Sequence, residues 1–284
     1  MPYLIGVSLL WAFSFGLIKG HLTGLDSTAV AVIRLACASV IFLPFFRPRQ
    51  ISRSAAISFT LIGAIQFGLM YVLYLAAYRY LQAFEVALFT ILTPIYVILL
   101  HGALEGRLQR NAIIAAGLAV IGAGILQWRN GVSPNGLIGF GLMQGSNLCF
   151  AAGQIAYKRL RASSPKSSNA SLFAWLYLGA LAATLIASAF TTDWTSFTPT
   201  PAQWKTMGFL GLLASGLGFF GWNIGATKVK ASTLAVFNNL KIPLAVAVAI
   251  LVFHETANLP RLLVCGGFMA AAIFVSERPS PRKN

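Results

Sequence analysis

The chain has 284 residues, of which 57% are hydrophobic and 10% are charged, and its mean hydropathy is +0.76. Soluble domains carry about 25% charged residues, so this composition indicates an integral membrane protein and leaves little room for a soluble domain. A net charge of +15 would suggest a nucleic-acid partner for a soluble chain, but here the basic residues lie in short loops between apolar runs. That distribution is typical of a membrane-topology signal and argues against nucleic-acid binding.

Ten apolar runs are long enough for membrane helices, because a helix needs about 20 residues to cross the hydrocarbon core. In chain order they cover residues 3–19, 28–46, 56–78, 84–101, 111–128, 136–157, 170–190, 206–226, 232–253 and 261–276. The first run has no basic segment before it and no obvious cleavage site, so we expect an uncleaved span. The sequence therefore predicts an all-α integral membrane protein with ten transmembrane helices.

The basic residues also predict the orientation of these spans. If the N-terminus is cytoplasmic, fourteen Lys and Arg residues fall on the inner side and five on the outer side, while Arg34 and Lys241 lie inside spans, which accounts for all 21. Because cytoplasmic loops are enriched in Lys and Arg, we expect both termini to be cytoplasmic and the protein to be a multi-pass protein of the inner (plasma) membrane.

The first two spans carry polar side chains in apolar surroundings. One face of span 1 combines aromatic, hydroxyl and apolar side chains: Trp11, Ser14, Phe15 and Ile18. Arg34 lies closer to the outer end of span 2, where we expect it to snorkel or to pair with Asp26. Span 1 is therefore a candidate for a substrate-binding wall, whereas Arg34 is given a structural role.

Span 3 presents three tyrosines on one helical face. Tyr71, Tyr74 and Tyr78 follow Phe67 at steps of 4, 3 and 4 residues. An aromatic packing stripe, or an interfacial belt near Tyr78, would give the same pattern. Three phenol hydroxyls on one face nevertheless favour a ligand-lined wall, because buried hydroxyls need hydrogen-bond partners.

Spans 6 and 8 add amides beside aromatic rings. Asn147 and Gln154 are seven residues apart, which places them on one side of span 6 with Phe150 between them. Span 8 contributes Trp222 and Asn223. These amides are expected to hydrogen-bond the polar end of a substrate, although Gln154 alternatively only pairs with a neighbouring helix.

Span 9 contains the most polar cluster of side chains among the ten predicted spans. Its apolar run contains Asn238, Asn239 and Lys241 before Pro243, a residue that removes a backbone donor. Polar groups at this depth usually face a protein interior or a water-filled cavity. We therefore interpret the trio as part of a substrate path, with an interhelical hydrogen-bond lock as the alternative for one of the two asparagines.

Lys241 lies near the middle of span 9, too deep for easy snorkelling. No Asp or Glu occupies the central part of any predicted span. A substrate carboxylate would therefore be a suitable partner for its ammonium group. Alternatively Lys241 is uncharged at rest, since burial disfavours the charged form.

The two halves of the sequence repeat each other. A shift of 149 residues aligns Pro94 with Pro243, and a shift of 150 aligns Glu105 with Glu255 and Gly117 with Gly267. The polar trio of span 9 has no equivalent in span 4, where the aligned residues read Phe, Thr and Leu. With five spans in each half, residues 1–130 and 131–284 face opposite ways, which makes an inverted repeat.

This repeated pattern of proline, glutamate and glycine resembles the drug/metabolite transporter superfamily in its ten-span EamA-type form. The aromatic-rich spans are similar to those of the superfamily's amino-acid exporters. The resemblance implies two five-helix halves around a central cavity, alternating access, and outward transport of small metabolites. The small multidrug members of the superfamily use a carboxylate in the first span, which this chain lacks, so uncoupled export or exchange is expected.

The sequence thus predicts an exporter of amino acids and related metabolites, whose aromatic walls suit apolar side chains. The chain has no Walker A or HExxH sequence, and its Cys and His residues lack metal-ligand spacing, so an enzyme, a metal site and a cofactor are not expected. The partners are a small-molecule substrate and the lipid bilayer, with the protein a monomer or weak oligomer. The open alternatives are a carrier of sugar, nucleotide or phosphorylated cargo, a receptor, or an intramembrane enzyme.

Overall fold

The computed structural model describes residues 1–22, 24–81, 83–127, 136–164, 167–251 and 258–278, and within these ranges every regular element is a helix. The side chains of residues 15, 16, 19, 83, 84, 87, 126, 127 and 249 lie outside the description. The all-helical prediction is therefore confirmed for the described part of the chain.

Thirteen α-helices form the described fold: α1 (Pro2–His21), α2 (Ser27–Phe42), α3 (Arg53–Gly63), α4 (Met70–Ala77), α5 (Ala83–Thr90), α6 (Thr93–Glu105), α7 (Arg110–Gln127), α8 (Gly136–Ala162), α9 (Asn169–Thr191), α10 (Pro201–Phe209), α11 (Gly218–Thr227), α12 (Ala231–Leu251) and α13 (Leu259–Glu277). Wider π-helical segments join α3 to α4 (Ala64–Leu69) and α10 to α11 (Leu210–Leu217). Short 3₁₀ turns follow α2 at Leu43–Phe45 and Pro48–Gln50.

Among the described residues, seven helical stretches are long and apolar enough to cross a membrane: Ser27–Phe45, Arg53–Ala77, Leu88–Glu105, Asn169–Thr191, Pro201–Thr227, Ala231–Val248 and Leu259–Glu277. Shorter apolar stretches lie in α1 (Pro2–Ser14) and α7 (Arg110–Ile125). Within the described residues, each of the ten apolar runs of the sequence corresponds to one helix or to two successive helices. The chain is therefore a membrane protein. The seven stretches leave out three of the ten predicted spans, which lie in α1, α7 and α8.

The helix ends follow from local sequence. Asp26 accepts a hydrogen bond from the backbone N–H of Ala29 at 2.8 Å and caps α2. Thr200 and Gln203 form a reciprocal capping box at the start of α10. Gly106 ends α6 with a φ of +68°, a conformation that glycine adopts without strain.

The two aligned prolines have different effects on their helices. The helical path of the first half is interrupted at residues 91–92, and Pro94 lies in the first turn of α6, where its missing N–H removes no helical bond. Thr93 donates its hydroxyl to the carbonyl of Thr90 at 2.7 Å beside this break. By contrast α12 continues through Pro243.

Glycines permit two close crossings that fix the scaffold. A Cβ atom at Gly63 of α3 would lie 1.8 Å from the carbonyl oxygen of Leu176, and one at Gly179 of α9 would lie 1.8 Å from that of Thr60. Helices α7 and α13 pack through small residues, where a Cβ at Gly122 would lie 2.5 Å from the Cβ of Phe268. Such close backbone approach is how membrane helices gain packing energy.

Candidate functional site

A cavity of about 100 Å³ lies between the helices and is lined from both halves of the chain. Its lining consists of Trp11, Ser14, Ile18, Arg34, Met70, Tyr71, Tyr74, Thr90, Thr93, Ser146, Asn147, Phe150, Ala214, Phe219 and Lys241. The lining combines aromatic rings, hydroxyl groups, one amide and two basic side chains. Among these described residues there is no Asp or Glu.

Aromatic rings form one wall of the cavity. The Trp11 ring centroid lies 5.4 Å from that of Phe219 and 6.1 Å from that of Phe150, both in edge-to-face arrangements. The indole Nε1 of Trp11 donates to the carbonyl of Ala214 at 2.9 Å. Ala214 lies in the π-helical segment Leu210–Leu217, so the wider turn supplies an acceptor that fixes the tryptophan ring.

Arg34 contacts the cavity although it is only 3% exposed. Its Nη2 donates to the hydroxyl of Tyr71 at 2.7 Å, and its guanidinium carbon lies 4.8 Å from the centre of that ring. Among the described residues, its Nε atom is buried without a hydrogen-bond partner. The cavity therefore carries a buried guanidinium group whose described neighbours leave its charge uncompensated.

Of the two alternatives expected for Arg34, the pairing with Asp26 is wrong. Asp26 instead caps α2 through Ala29 and lies 3.5 Å from Arg79, with which it forms an ion pair. It also accepts a hydrogen bond from Thr192 at 2.8 Å. Because Asp26 is satisfied at the helix end, Arg34, about two helical turns further along α2, is left facing the cavity.

Tyr71 connects Arg34 to the second half of the chain. Its hydroxyl lies 3.0 Å from the Oγ of Ser215, which is fully buried in the π-helical segment Leu210–Leu217. An arginine only donates hydrogen bonds, so the Tyr71 oxygen accepts from Arg34 while the same hydroxyl shares a hydrogen bond with Ser215. Tyr177 donates to the carbonyl of Ser215 at 2.5 Å and so holds the same segment from α9.

Lys241 lines the cavity from the middle of α12. Its Nζ lies 5.6 Å from the centre of the Trp11 ring, within range of a cation–π attraction. No described acidic side chain forms a salt bridge with it. The lysine and Arg34 therefore give one small cavity two basic groups and no described acid.

A group of polar side chains borders the cavity at the interruption between α5 and α6. Thr90 and Thr93 line the cavity there, and Asn147 donates its Nδ2 to the carbonyl of Phe89 at 2.8 Å. The hydroxyl of Ser146 donates to the carbonyl of Met70 at 3.2 Å. These groups present hydroxyl and amide oxygens to a ligand beside the aromatic wall.

Four residues that the sequence placed at the site lie outside this lining, in a buried polar cluster. Gln154 accepts a hydrogen bond from the indole of Trp222 at 2.9 Å, and its amide lies 3.4 Å from that of Asn238. Asn223 and Gln66 exchange two hydrogen bonds at 2.8 and 3.1 Å. All of these side chains are at most 1% exposed, because their amides satisfy one another between helices.

Asn239 also lies outside the lining, and its side chain is fully buried. Its Nδ2 donates to the carbonyls of Ile91, in the break before α6, and of Ala119 in α7, at 2.9 and 3.3 Å. These contacts match the hydrogen-bond lock that the sequence left open as an alternative. Asn239 therefore joins α12 to the first half of the chain.

The remaining predicted residues divide as follows. Trp11, Ser14, Tyr71, Tyr74, Asn147, Phe150 and Lys241 line the cavity together. Tyr78 lies outside the lining, with its hydroxyl 3.0 Å from that of Tyr74. The backbone of Phe15 lies in α1, whereas its side chain is outside the described part of the chain.

Sequence reasoning assigned no cavity role to several lining residues: Arg34, Met70, Thr90, Thr93, Ser146 and Ala214. The sequence did carry a signal for Arg34. It lies seven residues after the start of α2, which is deep in the helix for a side chain that would bond to a group at the helix end. The threonines could not be assigned, because only the helix break turns them toward the cavity. No group of three or more His, Cys, Asp or Glu within the described ranges is placed to hold a metal ion.

Comparison with known proteins gives a consistent result. The model of the EamA-like transporter family matches residues 1–128 and 137–277. Proteins named biotin transporter from Salmonella typhimurium and Escherichia coli are each 38% identical over 280 residues, covering 98% of this chain and 93% of theirs. A probable biotin transporter from Pseudomonas aeruginosa is 39% identical over 279 residues, covering 98% of this chain and 97% of its own.

A solved structure described as "Crystal structure of protein" has the same fold. Its TM-score is 0.79 with 16% sequence identity, and the match covers 99% of this chain and 98% of that one. At this identity the likeness shows the fold alone.

Proposed function

Because the chain belongs to the EamA-like transporter family, we propose that it carries biotin, or a carboxylate of similar size and polarity, across the membrane. The family and the relatives make this chain a membrane transporter of a small metabolite rather than an enzyme. Biotin is the cargo in the names of relatives that align along almost the whole chain. It is a more specific cargo than the amino acids expected from the sequence.

The observation that carries the proposal is a cavity with two basic groups and no described acid. Biotin has a carboxylate on an aliphatic chain and a fused ring with a ureido group. Arg34 and Lys241 suit the carboxylate, and the wall around Trp11 suits the chain and ring carbons. The ureido group needs acceptors and donors such as the threonine hydroxyls and the Asn147 amide beside the helix break.

An amino-acid cargo fits the same lining less well. A zwitterion brings an ammonium group that needs an acceptor, and two basic side chains in a small apolar cavity repel it. The described lining offers only hydroxyl and amide oxygens for this purpose. Amino acids therefore stand as the second candidate, supported by the aromatic wall and the basic groups but not by a partner for the ammonium.

We further propose that all ten helical runs cross the inner (plasma) membrane as two inverted five-helix halves, residues 1–130 and 131–284. The support is the aligned sequence pattern together with a π-helical segment in the third run of each half, Ala64–Leu69 and Leu210–Leu217. Alternating access between the halves would open the cavity to each side in turn. Transport is uncoupled or by exchange, and both termini are cytoplasmic. Membrane-impermeant labelling of cysteines introduced in successive loops tests this topology.

The experiment for the cargo is flux of radiolabelled biotin into proteoliposomes, compared with labelled phenylalanine and leucine. Saturable biotin flux that exceeds both amino-acid fluxes is expected. The matched control is Lys241→Met, which removes one basic group from the cavity and is expected to abolish flux while folding normally. Amino-acid flux without biotin flux from folded wild-type protein would overturn the biotin assignment and restore the amino-acid one.

A further inference from the structure

Arg34 is a buried charged group for which the described part of the molecule supplies no counter-charge. It is 3% exposed inside a membrane-spanning helix, yet its only described side-chain hydrogen bond is to the neutral hydroxyl of Tyr71. Its Nε has no partner among the described residues, and Asp26, the nearest acid along α2, bonds elsewhere. A buried charge without a counter-charge is strongly unfavourable, so such residues in membranes usually mark a ligand path.

The surroundings hold the guanidinium group in one place. Tyr71 bonds to it from α4, and Ser215 in turn bonds to Tyr71 from the π-helical segment Leu210–Leu217. The arginine is therefore positioned by groups from both halves of the chain. Its planar fork of N–H donors matches the two oxygens of a carboxylate, which a lysine ammonium cannot match.

Lys241 differs from Arg34 in each of these respects. It is partly exposed to the cavity, and the contact described for its Nζ is the ring of Trp11 at 5.6 Å. Its flexible stem and compact charge supply positive potential without fixing the orientation of a ligand. The two basic groups are thus suited to different tasks.

We propose that Arg34 is the residue that determines specificity for a free carboxylate, that Tyr71 positions it, and that Lys241 supplies positive charge that flux requires without setting this specificity. This assignment rests on the proposed function for the cargo's chemical class, a monocarboxylate on an apolar body. It predicts that the transporter rejects a cargo whose carboxylate is converted to a neutral amide of the same shape. It also predicts that this rejection depends on Arg34.

The test measures binding to purified, detergent-solubilised protein by the rise in its thermal unfolding temperature. Two matched pairs of probes are used: biotin with biotinamide, and 5-phenylvalerate with 5-phenylvaleramide. Wild-type protein is expected to bind each acid about 10- to 100-fold more tightly than its amide, the range for a hydrogen bond to a charged group. Arg34→Gln is expected to lose most of this preference and to keep only the part that the charge of Lys241 supplies.

The control variant is Lys241→Gln, which removes the other basic group. It is expected to weaken binding of the acid but to keep a clear preference for acid over amide. If Arg34→Gln keeps that preference and Lys241→Gln loses it, the roles are reversed and the proposal is overturned. Equal binding of acid and amide by the wild type would also overturn it.

Two further variants separate binding from general structural damage. Arg34→Lys keeps the charge but loses the fork, so acid preference should fall without loss of folded protein. Tyr71→Phe should raise the KM for biotin flux with little change in the maximal rate, because Arg34 remains but is less well positioned. An unchanged KM in Tyr71→Phe would remove the positioning role.

The two phenyl probes make the outcome independent of biotin. If wild-type protein distinguishes 5-phenylvalerate from its amide through Arg34 but neither binds nor transports biotin, the assignment of Arg34 stands and the biotin cargo is wrong. If biotin is transported but biotinamide binds equally well, the cargo stands and the role of Arg34 is wrong.

Discussion

Replacing Asn239 by leucine tests the hydrogen-bond lock between α12 and the first half of the chain. The amide donates to the carbonyl of Ile91 at 2.9 Å and more weakly to that of Ala119 at 3.3 Å. Ile91 lies in the break before α6, so its carbonyl would be left buried without this donor. An unsatisfied buried group costs about 1–3 kcal/mol, and interhelical bonds in membranes contribute about 0.6 kcal/mol on average.

One part of this loss is offset. The Oδ1 of Asn239 is itself buried without a hydrogen-bond partner among the described residues, and leucine removes that atom. We therefore expect Asn239→Leu to lower the free energy of unfolding by about 1–2 kcal/mol, toward the lower end of the range for an unsatisfied group. The measurement is reversible unfolding in mixed detergent, followed by circular dichroism.

The matched control lies two residues further along the same helix. Lys241→Met removes a basic side chain that has no described acidic partner, so its stability should equal or exceed that of the wild type. Transport should show the opposite order, with flux retained in part by Asn239→Leu and lost in Lys241→Met. Asn239→Leu protein as stable as the wild type would refute the lock.

Three further predictions follow from other contacts. Lys241→Met is expected to lose biotin flux in proteoliposomes while its elution in size-exclusion chromatography is unchanged; normal flux would exclude a cargo-binding role. Gly179→Leu should yield little folded protein, because a Cβ there would lie 1.8 Å from a carbonyl oxygen of α3, whereas Gly208→Ala, with nothing within 4 Å, should elute normally. A double-mutant cycle on Gln66 and Asn223, each changed to leucine, should give a coupling of about 1 kcal/mol in unfolding, and additive effects would contradict their reciprocal bonding.

The positions of the helices could be predicted from the sequence, because hydrophobic length alone decides where a helix is stable in lipid. The position of Lys241 in the middle of its helix and the aromatic face containing Trp11 could be found in the same way. These features depend on residues close in sequence. The different surroundings of the two aligned prolines could not be found from the sequence: Pro94 lies in the first turn of α6, whereas α12 continues through Pro243.

The composition of the cavity lining was harder to predict than the positions of the helices, because it depends on which polar groups form hydrogen bonds with one another across the fold. Five amide or indole residues that looked suited to a substrate are instead occupied by each other or by backbone carbonyls, as Asn239 is by Ile91. Arg34 shows the reverse case. Its expected partner Asp26 is occupied by a helix end and by Arg79, which leaves the arginine to the cavity.

The central claim is that the cavity carries a biotin-like carboxylate from one side of the membrane to the other. The most direct measurement is counterflow in proteoliposomes preloaded with unlabelled biotin and placed in a trace of labelled biotin. We expect a transient accumulation of label above the outside concentration, present in wild-type protein and absent in Lys241→Met. Label that only equilibrates, at the same rate with and without internal biotin and in both proteins, would contradict it.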